Sequence, residues 1–177
     1  MRRVLDQGRL QEFLKALGRE SKDAVRVYLT GGATAVLYGW RDTTIDIDLK
    51  IVPDSDRLLQ SIPRLKEAFE VNVELASPSD FIPELPGWQE RSPLLGQEGA
   101  VSFHHYDFYS QALAKLERGH AKDLEDVRQL LRRGLVDREL LRRFFDEIEP
   151  KLYRYPAIDP ASFRRAVEEF LRGQVGA

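Results

Sequence analysis

Hydrophobic residues recur along the chain at two spacings, that of a helix and that of a strand. Over 9–19, leucine and phenylalanine recur at helical spacing, which predicts an amphipathic helix. Residues 25–29 form an apolar run typical of a buried strand, and two glycines end it before a short helix over 33–38. Over 44–52, apolar side chains from Ile45 onward alternate with polar ones, which predicts a strand with one buried face.

The next stretch predicts a helix, two strands and a long loop. The helix is expected to begin at Pro53 and to be interrupted or restarted at Pro63. Residues 71–75 and 100–105 are predicted as the third and fourth strands. Between them, 77–99 is rich in proline and glycine and is predicted as a surface loop.

From residue 107 onward the pattern changes to helices. Four helical segments are predicted, over 107–118, 121–133, 137–148 and 160–172. The sequence therefore predicts an α+β fold, with a small sheet and flanking helices followed by a helical C-terminal unit. With the boundary near Tyr106, the α/β unit spans 1–106 and the helical unit spans 107–177, packed as one compact domain.

Composition and charge exclude several classes of protein. A formal net charge of −2 excludes a polycationic nucleic-acid coat, although a local basic groove stays open. The absence of cysteine excludes disulfides, thiolate metal sites and cysteine nucleophiles. No run approaches the roughly 18 apolar residues of a membrane span, and the charged N-terminus lacks the apolar segment of a secretory signal. A cytoplasmic protein without a membrane partner is expected.

The strand predicted over 44–52 carries the candidate chemistry. By alternation, one face is shared by four polar residues, namely Thr44, Asp46, Asp48 and Lys50. The two aspartates therefore point the same way, with Cα atoms about 6–7 Å apart. Their repulsion is relieved by a divalent cation such as Mg²⁺ or Mn²⁺, which prefers hard oxygen ligands. A solvated face or an ion-pair network is the alternative.

Gly31 and Gly32 lie where a predicted strand gives way to a helix. Bare backbone N–H groups at such a turn bind anions, and the missing side chains allow phosphate oxygens to approach. An ordinary turn is the alternative for the glycines alone. A phosphate cradle beside a carboxylate metal site describes a nucleoside triphosphate (NTP) with its metal ion.

The spacing of the two features resembles a known signature. Thirteen residues separate Gly32 from Asp46, and the sequence D-I-D-L follows. This segment resembles the signature of the nucleotidyltransferase superfamily, which has the DNA-polymerase-beta-like fold. It is similar to bacterial members that carry R-x-T-x-D-I-D-L, although Arg41 and Thr44 stand one residue further apart here. The resemblance implies a nucleotidyltransferase-like mixed sheet that binds Mg²⁺ and an NTP.

The resemblance also implies a third carboxylate on a later strand. Glu74 can face the site because it alternates with Val73 on the predicted strand, and Asp80 is the other candidate. Many relatives have aspartate here, and an exposed glutamate on an edge strand is the alternative. The implied catalytic and metal-binding residues are Asp46, Asp48 and Glu74. The implied nucleotide-binding residues are Gly31, Gly32, Thr44, Lys50, Lys115 and Asp123.

Lys115 and Asp123 belong to a second resemblance, in the helical unit. The segment 112–131 is similar to the one that follows the sheet in the abortive-infection AbiEii-type nucleotidyltransferases, where a lysine and a K-D-x-x-D helix recur. On a helical wheel Asp123 lies near the apolar face and Asp126 points further out. A carboxylate so close to an apolar face needs a partner, and Lys115 is the natural one. A structural ion pair between two helices is the alternative.

The resemblance implies transfer of a nucleotide from an NTP to a hydroxyl acceptor. In AbiEii-type relatives this chemistry is associated with toxins of type IV toxin–antitoxin systems, including transfer to tRNA ends. The implied partners are therefore an NTP, a tRNA acceptor and an antitoxin protein. One alternative is a catalytically silent nucleotide-binding, regulatory or antitoxin-type protein with the same fold. A sugar-nucleotide glycosyltransferase is a remoter alternative. Such an enzyme needs a larger Rossmann-like sheet before the D-I-D segment, and a single strand is predicted there.

Overall fold

The computed structural model describes residues 3–173, which divide into two compact units. One unit comprises 3–77 and 92–106, and the other comprises 78–91 and 107–173. Residues 78–91 thus group with the C-terminal helices and not with the sheet that they follow in sequence. The outermost residues of the two predicted domains, 1–2 and 174–177, lie outside the described residues.

A five-stranded mixed sheet forms the centre of the first unit. Its strands are β1 (Val25–Thr30), β2 (Asp46–Val52), β3 (Asn72–Glu74), β4 (Leu94–Glu98) and β5 (Val101–His105). They are arranged in the order β3-β2-β1-β5-β4. β1 pairs antiparallel with β2 and parallel with β5, while β2 is parallel to β3 and β4 antiparallel to β5. This order puts β2, with its two aspartates, between β1 and β3.

Three helices cover one face of this sheet with an apolar core. They are α1 (Gln7–Gly18), α2 (Gly32–Leu37) and α3 (Asp56–Phe69). Alternate strand residues such as Val27, Leu29 and Leu49 are fully buried in the same cluster as Phe13 of α1 and Leu58 of α3. Because strand side chains alternate between faces, the residues between them lie on the other face of the sheet. The helices therefore leave the polar positions of β2 on the face opposite the core.

Local side-chain caps fix where the helices begin. Asp6 accepts a hydrogen bond from Arg9 N at 2.9 Å, and Ser55 accepts one from Leu58 N at 3.4 Å. The prediction that α3 begins at Pro53 is therefore wrong, since the helix starts after the Ser55 cap. Pro63 lies inside α3 without ending it, because the buried residues on both sides of it hold the helix against the sheet.

The second unit is helical. Its helices are α4 (Phe108–Arg118), α5 (Ala121–Arg132), α6 (Arg138–Ile148) and α7 (Pro160–Gly173). Asp107, fully buried, accepts hydrogen bonds from the first turn of α4 and from the guanidinium of Arg91 at 2.9 and 3.1 Å. This bidentate pair attaches 78–91 to α4. Among the described residues, no helix combines the length and hydrophobicity that crossing a membrane requires.

The α+β prediction is confirmed, and further local predictions are corrected. The predicted loop over 77–99 contains β4, which the sequence does not reveal because most of its residues are exposed on both faces. Ile45, predicted to share the buried face of β2, is 59% exposed. β2 begins only at Asp46, and Thr44 before it forms an isolated bridge with Leu5.

Candidate active site

β2 presents its polar residues on one face. Ile47, Leu49 and Ile51 are buried, whereas the alternate positions 46, 48, 50 and 52 are half-buried. Asp46 and Asp48 therefore lie on the same side of the strand, as the alternation predicts. Lys50 follows them on that face. Two carboxylates and a lysine in a row provide oxygen ligands for a cation and a positive charge for an anion.

Gly31 and Gly32 adjoin this row of polar residues. Gly31 has a φ of +63°, and a Cβ built on it would lie 3.0 Å from Asp48 Oδ2. A Cβ on Gly32 would lie 2.2 Å from Thr44 Oγ1. Glycine is therefore required at both positions, by backbone conformation at the first and by close approach at the second. The structure brings the glycine pair, Asp48 and Thr44 together.

The helix after the glycines is shorter than a phosphate-binding helix needs to be. α2 spans six residues, so its dipole is small and the phosphate cradle predicted at the glycines would depend on their backbone alone. Thr44, predicted to contact the nucleotide, donates its hydroxyl hydrogen bond to the carbonyl oxygen of Asp46 at 3.1 Å. The side chain of Thr44 therefore orders the start of β2 where it packs against Gly32.

Asp46 and Glu74 are linked through a third side chain. In the parallel pairing of β2 and β3, Asp46 lies opposite Asn72 and Asp48 lies opposite Glu74. Asn72 Nδ2 donates to Asp46 Oδ1 at 2.7 Å and to Glu74 Oε1 at 3.1 Å. Glu74 is thus on the same face as the two aspartates. The sequence indicates that Asn72 and Glu74 share a face, but it does not reveal the bridge.

The three carboxylates do not form a ready-made metal cluster. Across residues 3–173, no group of three histidine, aspartate or glutamate side chains is arranged to hold a metal ion. Mg²⁺ commonly binds one or two carboxylates and takes its other ligands from water and substrate phosphates. Asp46 and Asp48, beside a glycine cradle that a Cβ would fill, fit that donor set. A ligand role for Glu74 stays a prediction, as does one for Asp80 in the helical unit.

Arg41, for which the sequence predicts no role, also lies next to the glycines. The Nη1 atom of Arg41 would lie 3.3 Å from a Cβ on Gly32. The R-x-T-x-D-I-D-L resemblance is the signal that draws attention to it. The structure therefore adds a second cation, besides Lys50, to this part of the sheet.

A separate groove of about 820 Å³ lies between α3 and β3, and its lining includes Lys66, Glu67 and Glu70 besides apolar side chains. Val71, Val73 and Leu75 line it, and these alternate along the chain with Asn72 and Glu74. The groove consequently opens on the face of β3 that points away from the carboxylates.

Within the helical unit, Lys115 and Asp123 contact each other as part of a larger network. Lys115 Nζ lies 3.6 Å from Asp123 Oδ1 and 2.7 Å from Asp126 Oδ2. Arg118 makes a bidentate pair with Asp123, with distances of 2.6 and 2.7 Å. Burial raises the pKa of the Asp123 carboxyl, but hydrogen bonds from Arg118 and the charge of Lys115 outweigh it, so this pKa lies below its usual range.

The outward orientation predicted for Asp126 is wrong. Asp126 is 2% exposed and is the nearer partner of Lys115. The buried residues of α5 are Asp123, Asp126, Val127 and Leu130, whereas Leu124 and Leu131 are half-buried. The true buried face is therefore rotated from the one that the leucines mark on a helical wheel. The contact of Lys115 and Asp123 with a nucleotide stays a prediction.

Comparison with known proteins places the chain in a family. A sequence model of the family described as nucleotidyltransferase of unknown function (DUF6036) matches residues 8–171. The chain has no match among curated proteins or among solved structures. The family match covers both units and includes the glycine pair and the D-I-D-L segment. On this evidence the chain belongs to the DUF6036 family of nucleotidyltransferases.

Proposed function

We propose that the protein transfers a nucleotide from an NTP to a hydroxyl acceptor in a reaction that depends on Mg²⁺ or Mn²⁺. The main support for this proposal is the close approach of Asp48 to Gly31, where a Cβ on Gly31 would lie 3.0 Å from Asp48 Oδ2. The carboxylate of Asp48 and the backbone of Gly31 are thus adjacent, so that a cation and the phosphates it neutralises can bind side by side. Family membership supports the same reaction class.

In the proposed reaction the acceptor oxygen attacks the α-phosphorus of the NTP. The bond between that phosphorus and the oxygen bridging to the β-phosphate breaks, pyrophosphate leaves with that oxygen, and the proton of the acceptor hydroxyl passes to solvent water. Asp46 and Asp48 hold the cation, and Gly31 and Gly32 admit the phosphates against the backbone. Lys50, on the same face, contributes positive charge. When bound, Mg²⁺ neutralises the phosphate charge that develops in the transition state.

The acceptor and the biological role extend this proposal. The resemblance of 112–131 to AbiEii-type proteins supports an RNA acceptor, with the terminal hydroxyl of tRNA as the first candidate. It also supports a role as the toxin of a type IV toxin–antitoxin system, with an antitoxin protein as partner. Lys115 and Asp123 are proposed to contribute to nucleotide or acceptor binding.

A transfer assay tests the proposal. Purified protein is incubated with each labelled NTP and total tRNA or cell lysate, with Mg²⁺, with Mn²⁺ or with a chelator. Metal-dependent transfer of label that is lost in D46N and D48N supports the enzyme, and the labelled product identifies the acceptor class. Transfer that the chelator or both substitutions leave intact would contradict it.

The absence of a three-carboxylate cluster among residues 3–173 favours a second candidate. In this alternative the protein binds a nucleotide without turnover and acts as a regulatory or antitoxin-type partner. Saturable NTP binding by a protein that shows no transfer with any acceptor would support this candidate over the enzyme.

A further inference from the structure

Asn72 is the one asparagine in the 177 residues, and it lies within the candidate active site. Asn72 is the first residue of the short strand β3 and is buried, with 6% of its surface exposed. Its Nδ2 atom donates to both Asp46 and Glu74. A chain that avoids asparagine elsewhere thus has it where two carboxylates meet.

The energetics of burial explain why a polar residue occupies this position. An amide buried without partners loses its hydrogen bonds to water with no replacement, so an apolar side chain is preferred where packing alone decides. The amide NH₂ group has two hydrogens, and each carboxylate accepts one of them. Hydrogen bonds from an amide to charged oxygens are stronger than those between neutral groups. The two carboxylates therefore account for the presence of Asn72.

The same contacts define the surroundings of Asp46. Across residues 3–173, the Asp46 carboxylate accepts its hydrogen bond from Asn72 only. This bond involves Oδ1 and thereby fixes the rotation of the carboxylate. Glu74 Oε1 and Asp46 Oδ1 both lie within 3.1 Å of the same nitrogen. The amide is thus interposed between two like charges that otherwise repel each other.

We infer that Asn72 is a positioning residue of this site: its amide orients Asp46 for the divalent cation and keeps Glu74 beside the cation as an outer carboxylate. This role rests on the proposed function. Groups that orient metal ligands typically affect metal affinity by about 10- to 100-fold when removed. An effect of that size on cation binding is expected from the loss of the amide, even before any turnover is measured.

The test measures Mn²⁺ binding by electron paramagnetic resonance, with and without an NTP. The variants are N72L, which is similar in size but has no donor, and N72S, which keeps a single donor. V73A is the matched control, because Val73 is buried on the same strand but faces the opposite side. Thermal melting of each variant reports its stability. E74Q and the double variant N72L/E74Q complete a double-mutant cycle.

We expect N72L to weaken Mn²⁺ binding at least tenfold, N72S to lie between N72L and the wild type, and V73A to stay within twofold despite a lower melting temperature. If N72L does not fold, the comparison of N72S with V73A decides. Three results would overturn the role of Asn72. The first is wild-type Mn²⁺ affinity in N72L or N72S, and the second is an equal loss of affinity in V73A. The third is strict additivity of the effects of N72L and E74Q on Mn²⁺ binding. Wild-type protein that binds no Mn²⁺ would overturn the proposed function and this role with it.

Discussion

Asp46 and Asp48 carry like charges on one strand face, which is unfavourable unless a cation or a donor is present. We expect D46N to abolish nucleotide transfer while changing the free energy of unfolding by less than about 1 kcal/mol. The stability is retained because the amide oxygen of the new side chain still accepts from Asn72, and one repulsion disappears. Transfer assays and thermal melts check both parts. D42N, in the exposed loop before β2, is the matched control and should keep full activity.

A large loss of stability in D46N would assign Asp46 a structural role, and so would equal loss of activity in D42N and D46N.

Gly32 has a different constraint, because its place in the structure has no room for a side chain. A Cβ there would lie 2.2 Å from Oγ1 and 2.9 Å from Cβ of Thr44. We therefore expect G32A to lower the free energy of unfolding by about 1–3 kcal/mol, as overpacking commonly does. Urea denaturation measures it, and T44A should restore part of the loss in the double variant. G8A, in the first turn of α1 with only an ordinary contact nearby, should be neutral or stabilising.

The sequence predicts the shared face of the aspartates but not the bridge between Asp46 and Asn72. Alternation is a property of one strand, so β2 alone reveals that Asp46 and Asp48 point the same way. The bridge depends on the parallel register of β2 and β3, which are separated by a helix in the chain. No local pattern encodes that register. The same reasoning applies to Arg41, whose approach to Gly32 depends on the fold of a loop.

At the level of elements, α4 and α5 are joined by a buried cation. Lys115 is 8% exposed and lies 2.7 Å from Asp126. We expect K115M, which keeps the apolar stem, to lower the free energy of unfolding by about 3–5 kcal/mol, because Asp126 loses this cation while it stays buried. Chemical denaturation measures the change. K122M, on the exposed side of α5, is the control and should differ from the wild type by less than about 0.5 kcal/mol.

Variants of α4 and α5 also test whether Lys115 contacts the nucleotide. K115M is compared with D126A, which breaks the same contact from the other side. If Lys115 contacts the nucleotide, K115M loses more NTP affinity than D126A at an equal shift in melting temperature. Equal losses of affinity would leave Lys115 with a structural role alone.

Elements differ in how far the sequence predicts them. α1 and β2 have strong periodicity, which predicts both close to where they lie. β4 has no hydrophobic pattern and is defined by its pairing with β5, a tertiary contact. The helical wheel does not predict the burial of Asp126 for a related reason. Its burial depends on a salt bridge to another helix, whereas the helical wheel counts apolar residues only.

At the scale of the whole molecule, the change from alternating strands to helices near residue 107 predicts the α+β class. The placement of 78–91 was not predictable in the same way. That segment groups with the helical unit, Arg91 pairs with Asp107, and Ile82, Leu85 and Trp88 within it are buried. Scattered apolar residues among prolines resemble a loop unless their distant partners are known.

The stability of the folded chain should also depend on pH through one buried histidine. His105 is 4% exposed, its Nδ1 lies 3.1 Å from Thr34 Oγ1, and burial lowers its pKa from 6.5 to about 4. Above pH 6.5 the ring is neutral in both states and contributes no pH dependence. Below that, the unfolded chain takes up a proton that the folded chain does not, so the free energy of unfolding falls by about 3 kcal/mol in total as the pH approaches 4.

Urea denaturation at pH 7.5, 6 and 5 tests this dependence, with H105N as the variant because its amide can replace the contact with Thr34. The advantage of the wild type over H105N should shrink as the pH falls through this range. The lowered pKa of Asp123 does not interfere, because that carboxyl gives up its stabilising effect only below its ordinary pKa of 3.8. H120N, at a histidine that is 73% exposed, is the control. A wild-type advantage that stays constant from pH 7.5 to 5 would mean that His105 takes up its proton as readily in the folded protein as in the unfolded chain.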